Sequence, residues 1–305
     1  MSRLQDFPTV TPTSSDNLLV VQSQGQGLAS VGSTLGAKMD KANPTGTGAL
    51  SINRKANTTV GTYSTTEGSN CEASGSYAHA EGYLTEAKLQ ATHTEGRETT
   101  ANGNYAHAEG RETQAIHNQA HAEGYQTTAS GNSSHAEGYQ TTSSGLASHA
   151  EGYGTIANHK GQHVYGEYNL ADASTAMVGN RGNYVEIVGK GTNDENRSNA
   201  RTLDWNGNET IAGTLTQSSD ARLKDVKTDT IPDVSSIKAV RFTWRKGIGR
   251  DFDEHIGYLA QDVEKALPFL VKEDAEGNKV LDYIAFLVAK VDSLEKRISE
   301  LEKGE

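Results

Sequence analysis

The chain has 305 residues and a formal net charge of −11 at pH 7, and only 34% of its residues are hydrophobic. Such an acidic surface repels nucleic acid and anionic lipid, so neither is expected as a partner. The single cysteine, Cys71, excludes an intrachain disulfide framework, and the absence of any run of 18 apolar residues argues against membrane insertion.

The first predicted segment, residues 1–61, carries clusters of proline and glycine and one strand-like run, NLLVV. It lacks the basic start and apolar run of a secretion signal, so we expect synthesis in the cytoplasm. Its position is that of either an attachment segment for a larger assembly or a flexible leader, and its residues favour neither.

Residues 62–166 repeat every fourteen residues. Seven histidines recur at that interval, the last being His163, and a Glu-Gly pair follows two residues after each of the first six. A fourteen-residue unit is too short for a helical hairpin and suits two short strands with two tight turns, so we predict a β-roll with one coil per unit. The six repeated pairs are His79 and Glu81, His93 and Glu95, His107 and Glu109, His121 and Glu123, His135 and Glu137, and His149 and Glu151.

The repeated strand SHAEG sorts its side chains onto two faces. Alternation places histidine and glutamate on one face and the small residues on the other. Small side chains fit a narrow interior, so the His–Glu face should point out of the roll. Without a large apolar core such a roll is marginal as a single chain, which favours three rolls packed around a threefold axis.

The SHAEG unit resembles the fourteen-residue head repeat of trimeric autotransporter adhesins of the YadA type. The resemblance implies that the histidine and glutamate columns form a polar seam between three chains, each imidazole donating to another chain's carboxylate. If so, the histidine pKa values should be raised above about 6.5. Two alternatives stay open: the columns face solvent, or they hold a metal on the axis because H-x-E offers suitable ligands. We expect no metal and no cofactor.

Residues 167–217 contain YVEIVGKG and RTLDWNGNETIAG. These runs predict short strands, one pair of them joined by an Asn-Gly turn. We interpret the segment as an interlaced β neck between the roll and the final domain.

The composition changes near residue 218, where aromatic residues begin to supply a conventional core. HIGYLAQDVEKAL predicts a strand and then an amphipathic helix that stops at Pro268, and KEDAEGNKVLDYIAF predicts a hairpin. The chain then forms a heptad helix with Lys290 and Arg297 at g and Glu295 and Glu302 at e, which favours parallel self-association. Its a and d positions are Ile284, Leu287, Val291, Leu294, Ile298 and Leu301. The alternative is a helix packed only on its own domain.

SSDARLK, GYLAQDVEKALP and the terminal coiled coil together resemble the intramolecular chaperone domain of phage tail fibres and tailspikes, peptidase family S74. The resemblance covers about residues 218–305. It implies a domain that trimerises, templates the fibre ahead of it and cuts itself off between Ser218 and Ser219. Ser219 would be the nucleophile and Lys224 its base, since a lysine can activate a serine hydroxyl. The alternatives are that SSDARLK only caps a helix, or that the fibre retains the domain.

The expected architecture is a mainly β homotrimer: a leader (1–61), a β-roll (62–166), a β neck (167–217) and a small α+β chaperone domain ending in a coiled coil (218–305). The resemblance implies a phage or prophage tail fibre or receptor-binding protein in the virion tail. Its partners would be a tail or baseplate component and a bacterial surface glycan or protein. Its only reaction would be one self-cleavage. Rival functions are a trimeric bacterial adhesin, which would need an export signal, and a glycan-cleaving tailspike, for which equivalent glutamates make a poor catalytic pair.

Overall fold

The structure is a computed structural model that describes residues 49–51, 54–177, 179–227, 230–246 and 253–304. Most of the predicted leader, residues 1–61, lies outside these ranges. The chain divides into two compact units between Thr214 and Leu215. Among the described residues, no helix has the length and apolar character needed to cross a membrane.

The first unit is a β-solenoid, as the repeat predicts. Each coil gives one strand to each of two parallel sheets, and His121 pairs in register with His107 and His135. The strands of the repeat region are β1 (Leu50–Ser51), β2 (Thr65–Ser69), β3 (Glu72–Ala73), β4 (His79–Tyr83), β5 (Glu86–Ala87), β6 (His93–Thr94), β7 (Thr100–Ala101), β8 (His107–Arg111), β9 (Gln114–Ala115), β10 (His121–Tyr125), β11 (Thr128–Ala129), β12 (His135–Tyr139), β13 (Thr142–Ser143), β14 (His149–Ala150), β15 (Ile156–Ala157) and β16 (His163–Glu167).

Small side chains fill the interior of the solenoid. Ala108, Ala122 and Ala136 of the HAEG strands are fully buried, as are Ala115 and Ala129 from the opposite sheet. The histidines and glutamates of the same strands are half-buried or exposed. The predicted orientation, with small residues inside and the His–Glu face outside, is confirmed.

The backbone near the end of each HAEG segment depends on its glycine. Gly110 has a φ of +101°, in the left-handed region that residues with a Cβ rarely adopt. A Cβ on Gly110 would also lie 2.2 Å from the carbonyl oxygen of Gly124 in the next coil. The glycine is therefore required twice, by the backbone angle and by the close approach of successive coils.

The long sheet continues beyond the repeats into the predicted neck. Strand β17 (Tyr184–Lys190) pairs in parallel with β16, and β18 (Asn199–Asp204) and β19 (Glu209–Ile211) follow antiparallel. The turn between β18 and β19 contains Gly207 at a φ of +85°, in the predicted Asn-Gly position. The predicted strands are present, while their interlacing with other chains stays a prediction.

The second unit is a small α+β domain. Two antiparallel hairpins, β20 (Val240–Phe242) with β21 (His255–Gly257) and β22 (Val271–Glu273) with β23 (Lys279–Leu281), accompany helices α1 (Ala260–Glu264) and α2 (Tyr283–Lys303). The core of this unit consists of Val234, Val263, Leu267, Phe286 and Ala289. The predicted mainly β class, with a solenoid and a small α+β unit ending in a long helix, is confirmed.

Candidate functional site

The seven histidines of the repeat form one stacked column. Neighbouring rings lie 4.5–5.0 Å apart, centroid to centroid, and their planes differ by only 4–13°. The rings stack because in-register parallel pairing places equivalent residues of successive coils one strand spacing apart. The column runs from His79 to His163 beside a parallel column of glutamates.

Within one chain these histidines do not form hydrogen bonds through Nε2. The nearest carboxylate oxygen to each Nε2 lies 3.4–3.9 Å away, which is longer than a normal N–H···O bond. All seven Nε2 atoms are buried and have no hydrogen-bond partner among the described residues. The column therefore presents a row of unsatisfied nitrogen atoms next to a row of carboxylates.

In a single chain the pKa values of four column histidines are lowered, whereas the predicted seam between chains would raise them. Burial, followed by the charge of neighbouring imidazoles, lowers the pKa of His93, His107, His135 and His149 below the usual 6.5. The neighbouring glutamates raise the histidine pKa values, but less than burial and the other imidazoles lower them. Burial and the charge of the neighbouring imidazoles thus favour the neutral form of these four side chains within a single chain.

The glutamate column shares its protons unevenly. Burial raises the pKa of Glu109, and at Glu137 burial, hydrogen bonds and repulsion from Glu151 and Glu123 raise it to about 7. Glu123 lies between Glu109 and Glu137 in the column. Its pKa is lowered, because the hydrogen bonds with these two neighbours outweigh the effect of burial. A carboxyl that holds its proton near neutral pH can donate to the ionised carboxylate of the next coil.

Replacing His93 by glutamine should make the solenoid less sensitive to acid. Because the pKa of His93 is lowered in the folded state, the unfolded chain binds this proton more tightly. Wild-type stability therefore falls as the pH drops through about 6.5, and glutamine removes that loss. Urea unfolding of the monomeric protein in EDTA between pH 8 and 5 should show the variant gaining stability relative to wild type toward acid. In an assembled trimer the proposed seam, which raises the histidine pKa, would reverse that sign. The charged groups beside His93 are His79, Glu81, Glu95 and His107.

The control for this experiment is His117→Gln, which removes an exposed imidazole outside the column. Comparing the two variants separates the effect of the column from that of losing one imidazole elsewhere in the solenoid. A difference between His93→Gln and wild type that does not change with pH would contradict the prediction.

Two places in the column bring three metal-ligating side chains together. One ligand atom each from His121, Glu123 and His135 lies within 4.8 Å of the other two, and the same holds for His135, Glu137 and His149. Imidazole and carboxylate are ligands for divalent transition metals. The periodic sequence could not have shown which coils approach this arrangement.

The predicted nucleophile and base contact each other in the second unit. Lys224 Nζ donates a hydrogen bond to Ser219 Oγ over 2.8 Å. One turn of 3₁₀ helix, Ala221–Leu223, separates the two residues and brings their side chains to the same side. In this state the ammonium donates, whereas a general base must first lose that proton and then accept the hydroxyl proton.

The segment SSDARLK also caps a helical turn, which was the alternative role predicted for it. The Asp220 carboxylate accepts a hydrogen bond from the backbone N–H of Arg222 at 2.9 Å and pairs with its guanidinium. The Arg222 hydrogen bonds lower the pKa of Asp220. Asp220 thus fixes the turn, and Ser219 stays outside the cap with its hydroxyl exposed toward Lys224.

Helix α2 has two faces with different roles. Phe286, Ala289 and Ser293 are buried against the unit's own core, and the Ser293 hydroxyl accepts from the backbone N–H of Val234 at 3.0 Å. The predicted a and d residues all remain 46–66% exposed. The helix therefore packs on its own domain through one face and leaves a continuous apolar stripe on another. The stripe consists of Ile284, Leu287, Val291, Leu294, Ile298 and Leu301.

Lys290 does not have the free side chain that its heptad position suggests. Its Nζ donates to the carbonyl oxygens of Val234, Ser235 and Ile237 at 2.7–2.8 Å. Sequence reasoning missed this role, because nothing in the heptad distinguishes Lys290 from Arg297 at the other g position. Lys290 therefore holds the loop at residues 234–237 onto α2 and is already fully engaged within its own chain.

Residues 219–272 match the peptidase S74 family model, which is described as the chaperone of endosialidase. The matched stretch begins at Ser219, contains Lys224 and α1, and ends within β22; helix α2 lies beyond it. No curated protein and no solved structure matches the chain. The chain thus combines a β-solenoid with a chaperone-of-endosialidase domain.

Proposed function

We propose that this chain is the precursor of a homotrimeric fibre or tailspike-type protein of a phage or prophage, assembled by its C-terminal unit. The observation that carries the proposal is the chaperone-of-endosialidase match at residues 219–272, downstream of a β-solenoid. The mature shaft would reside in the virion tail. It would join a tail or baseplate component to a glycan or protein on the bacterial surface.

The exposed stripe of α2 supports assembly by this unit. Its six apolar residues are about half exposed in one chain, and burying a large aliphatic side chain contributes about 1.5–3 kcal/mol. Three parallel helices would cover the stripe. Isoleucine and valine at a with leucine at d suit a dimer by themselves, so the threefold state depends on the adhesin-like repeat.

The His–Glu columns would then lie between the three chains. Each Nε2 lacks a hydrogen-bond partner within the described part of its own chain, and a carboxylate from another chain could accept from it. Three polar chains must find a common register before such contacts form. A C-terminal unit that trimerises first lowers the entropic barrier to that search.

Release of the C-terminal unit would proceed by acyl transfer at Ser219. Neutral Lys224 takes the hydroxyl proton while Oγ attacks the carbonyl carbon of Ser218, forming a C–O bond. The C–N bond between Ser218 and Ser219 breaks, and Lys224 passes the proton to the departing amine. Water then hydrolyses the ester, which leaves a carboxylate on Ser218 and restores the Ser219 hydroxyl.

Leu294→Lys should convert the trimer to a monomer, because it puts a charge at the centre of the apolar stripe. Leu294 is 46% exposed in one chain, so the substitution leaves the packing of the unit itself largely intact. Analytical ultracentrifugation, in a Ser219→Ala background that keeps the unit attached, measures the mass. The matched control is Ser299→Lys, which adds the same charge to α2 at an exposed position off the stripe.

We expect a trimer for the parent and for Ser299→Lys, and a monomer for Leu294→Lys. A monomeric parent, or a Leu294→Lys variant that stays trimeric, would refute assembly through this helix.

A further inference from the structure

We propose that the middle of the histidine column binds one divalent transition metal ion per chain, with His135 as the essential ligand. This departs from our expectation of no metal. The inference depends on contacts within a single chain and does not require the proposed cleavage. At His121, His135 and His149 the ion would take the place of the carboxylate from another chain that the proposed seam assigns to these side chains.

The ligand geometry around His135 favours an ion. The His135 ring stacks on His121 at 4.5 Å and on His149 at 4.6 Å, and the Nε2 atom of each of these three rings lies within 3.9 Å of a carboxylate oxygen of the glutamate column. Glu123 lies 3.7 Å from His121 Nε2, and Glu137 lies 3.6 Å from His149 Nε2. In each set the three ligand atoms lie within 4.8 Å of one another.

These separations suit a bridging ion better than direct hydrogen bonds. A separation of 3.6–3.7 Å between nitrogen and oxygen is too long for a hydrogen bond but shorter than two metal–ligand bonds end to end, roughly 4.1 Å. One ion can therefore contact both atoms at a bent angle. The second imidazole reaches it by a small ring rotation, for which its 33–35% exposed side chain leaves room. The buried, unpaired Nε2 atoms would then gain a partner.

The ligand set selects the class of ion and its number. Two imidazoles and one carboxylate favour Zn²⁺, Co²⁺, Ni²⁺ or Cu²⁺, whereas Mg²⁺ and Ca²⁺ prefer all-oxygen sites. His135 belongs to both sets and contributes one ligand atom, so the two sets cannot be filled at the same time. One ion per chain follows, whichever glutamate it takes.

Calorimetric titration of the full chain with Zn²⁺ tests the proposal. The protein carries no polyhistidine tag, is stripped with EDTA and is dialysed at pH 7.5. We expect saturable binding of one Zn²⁺ per chain and no heat from Mg²⁺. His135→Gln should weaken Zn²⁺ binding at least tenfold. The matched control is His93→Gln, which removes a ring stacked between two others in the same column and should leave Zn²⁺ binding unchanged.

A second variant guards against misfolding of His135→Gln. The double variant Glu123→Gln, Glu137→Gln retains all the histidines but removes the carboxylate from both sets. With Co²⁺ as the probe, it should lose the visible absorption band of the wild type while its circular dichroism stays the same. An unchanged cobalt band, equal losses in His135→Gln and His93→Gln, binding of one ion per coil, or no saturable binding would each overturn the proposal.

Discussion

Ser219→Ala should abolish self-cleavage, so that the purified chain runs as one full-length band on a denaturing gel. Wild type should show two fragments, residues 1–218 and 219–305. Alanine has no hydroxyl to attack the carbonyl of Ser218, and removing such a nucleophile slows cleavage by at least about a thousandfold. Intact-mass spectrometry of both proteins locates the cut.

Two further variants separate catalysis from folding. Lys224→Arg keeps the positive charge and can still donate to Ser219 Oγ, but a guanidinium does not lose its proton, so cleavage should also stop. Ser218→Ala changes the neighbouring serine and should still be cut. Self-cleavage of the Ser219→Ala or the Lys224→Arg variant would refute the proposed roles of these two residues. A wild type that stays uncut would indicate a protein that keeps its C-terminal unit.

Gly110→Ala should destabilise the solenoid by on the order of 3 kcal/mol. Alanine would have to adopt a φ of +101°, which residues with a Cβ rarely do. Its Cβ would also lie only 2.2 Å from the carbonyl oxygen of Gly124. Neither atom can move without breaking the backbone hydrogen bonds between coils. Guanidinium unfolding followed by far-ultraviolet circular dichroism measures the change.

The matched control is Gly213→Ala, the same substitution at a glycine with no atom within 4 Å of the new Cβ. Its unfolding free energy should stay close to that of wild type. Equal stability of Gly110→Ala and Gly213→Ala would show that the coils are not packed as closely as the structure indicates.

The repeat could be predicted from the sequence because its period is imposed by the hydrogen-bonding of the coils. His121 must lie beside His107 and His135 if every unit has fourteen residues and the strands pair in register. The alternation within HAEG likewise fixed which side chains face inward. The pairing of Ser219 with Lys224 was predicted only through the resemblance of SSDARLK to the chaperone family, and the two side chains are in contact in the structure.

Other features depend on distances that no sequence pattern contains. The lowered pKa of His93 reflects burial and the charge of His79, whereas the sequence shows only an attractive glutamate two residues away. The engagement of Lys290 depends on a loop at residues 234–237 that is remote in sequence. The predicted helix before Pro268 also ends sooner, at Glu264, and Leu267 beyond its end is buried in the core.

The uniform register of the coils has a consequence for how the solenoid can change in length. Removing or duplicating one complete unit of fourteen residues keeps the remaining strands in the same register and alters the length of the solenoid by about 4.8 Å. A deletion of any other size would shift the strands out of register in both parallel sheets at once. Near-identical units are also suitable substrates for unequal recombination, so the architecture provides stepwise variation in reach at little structural risk.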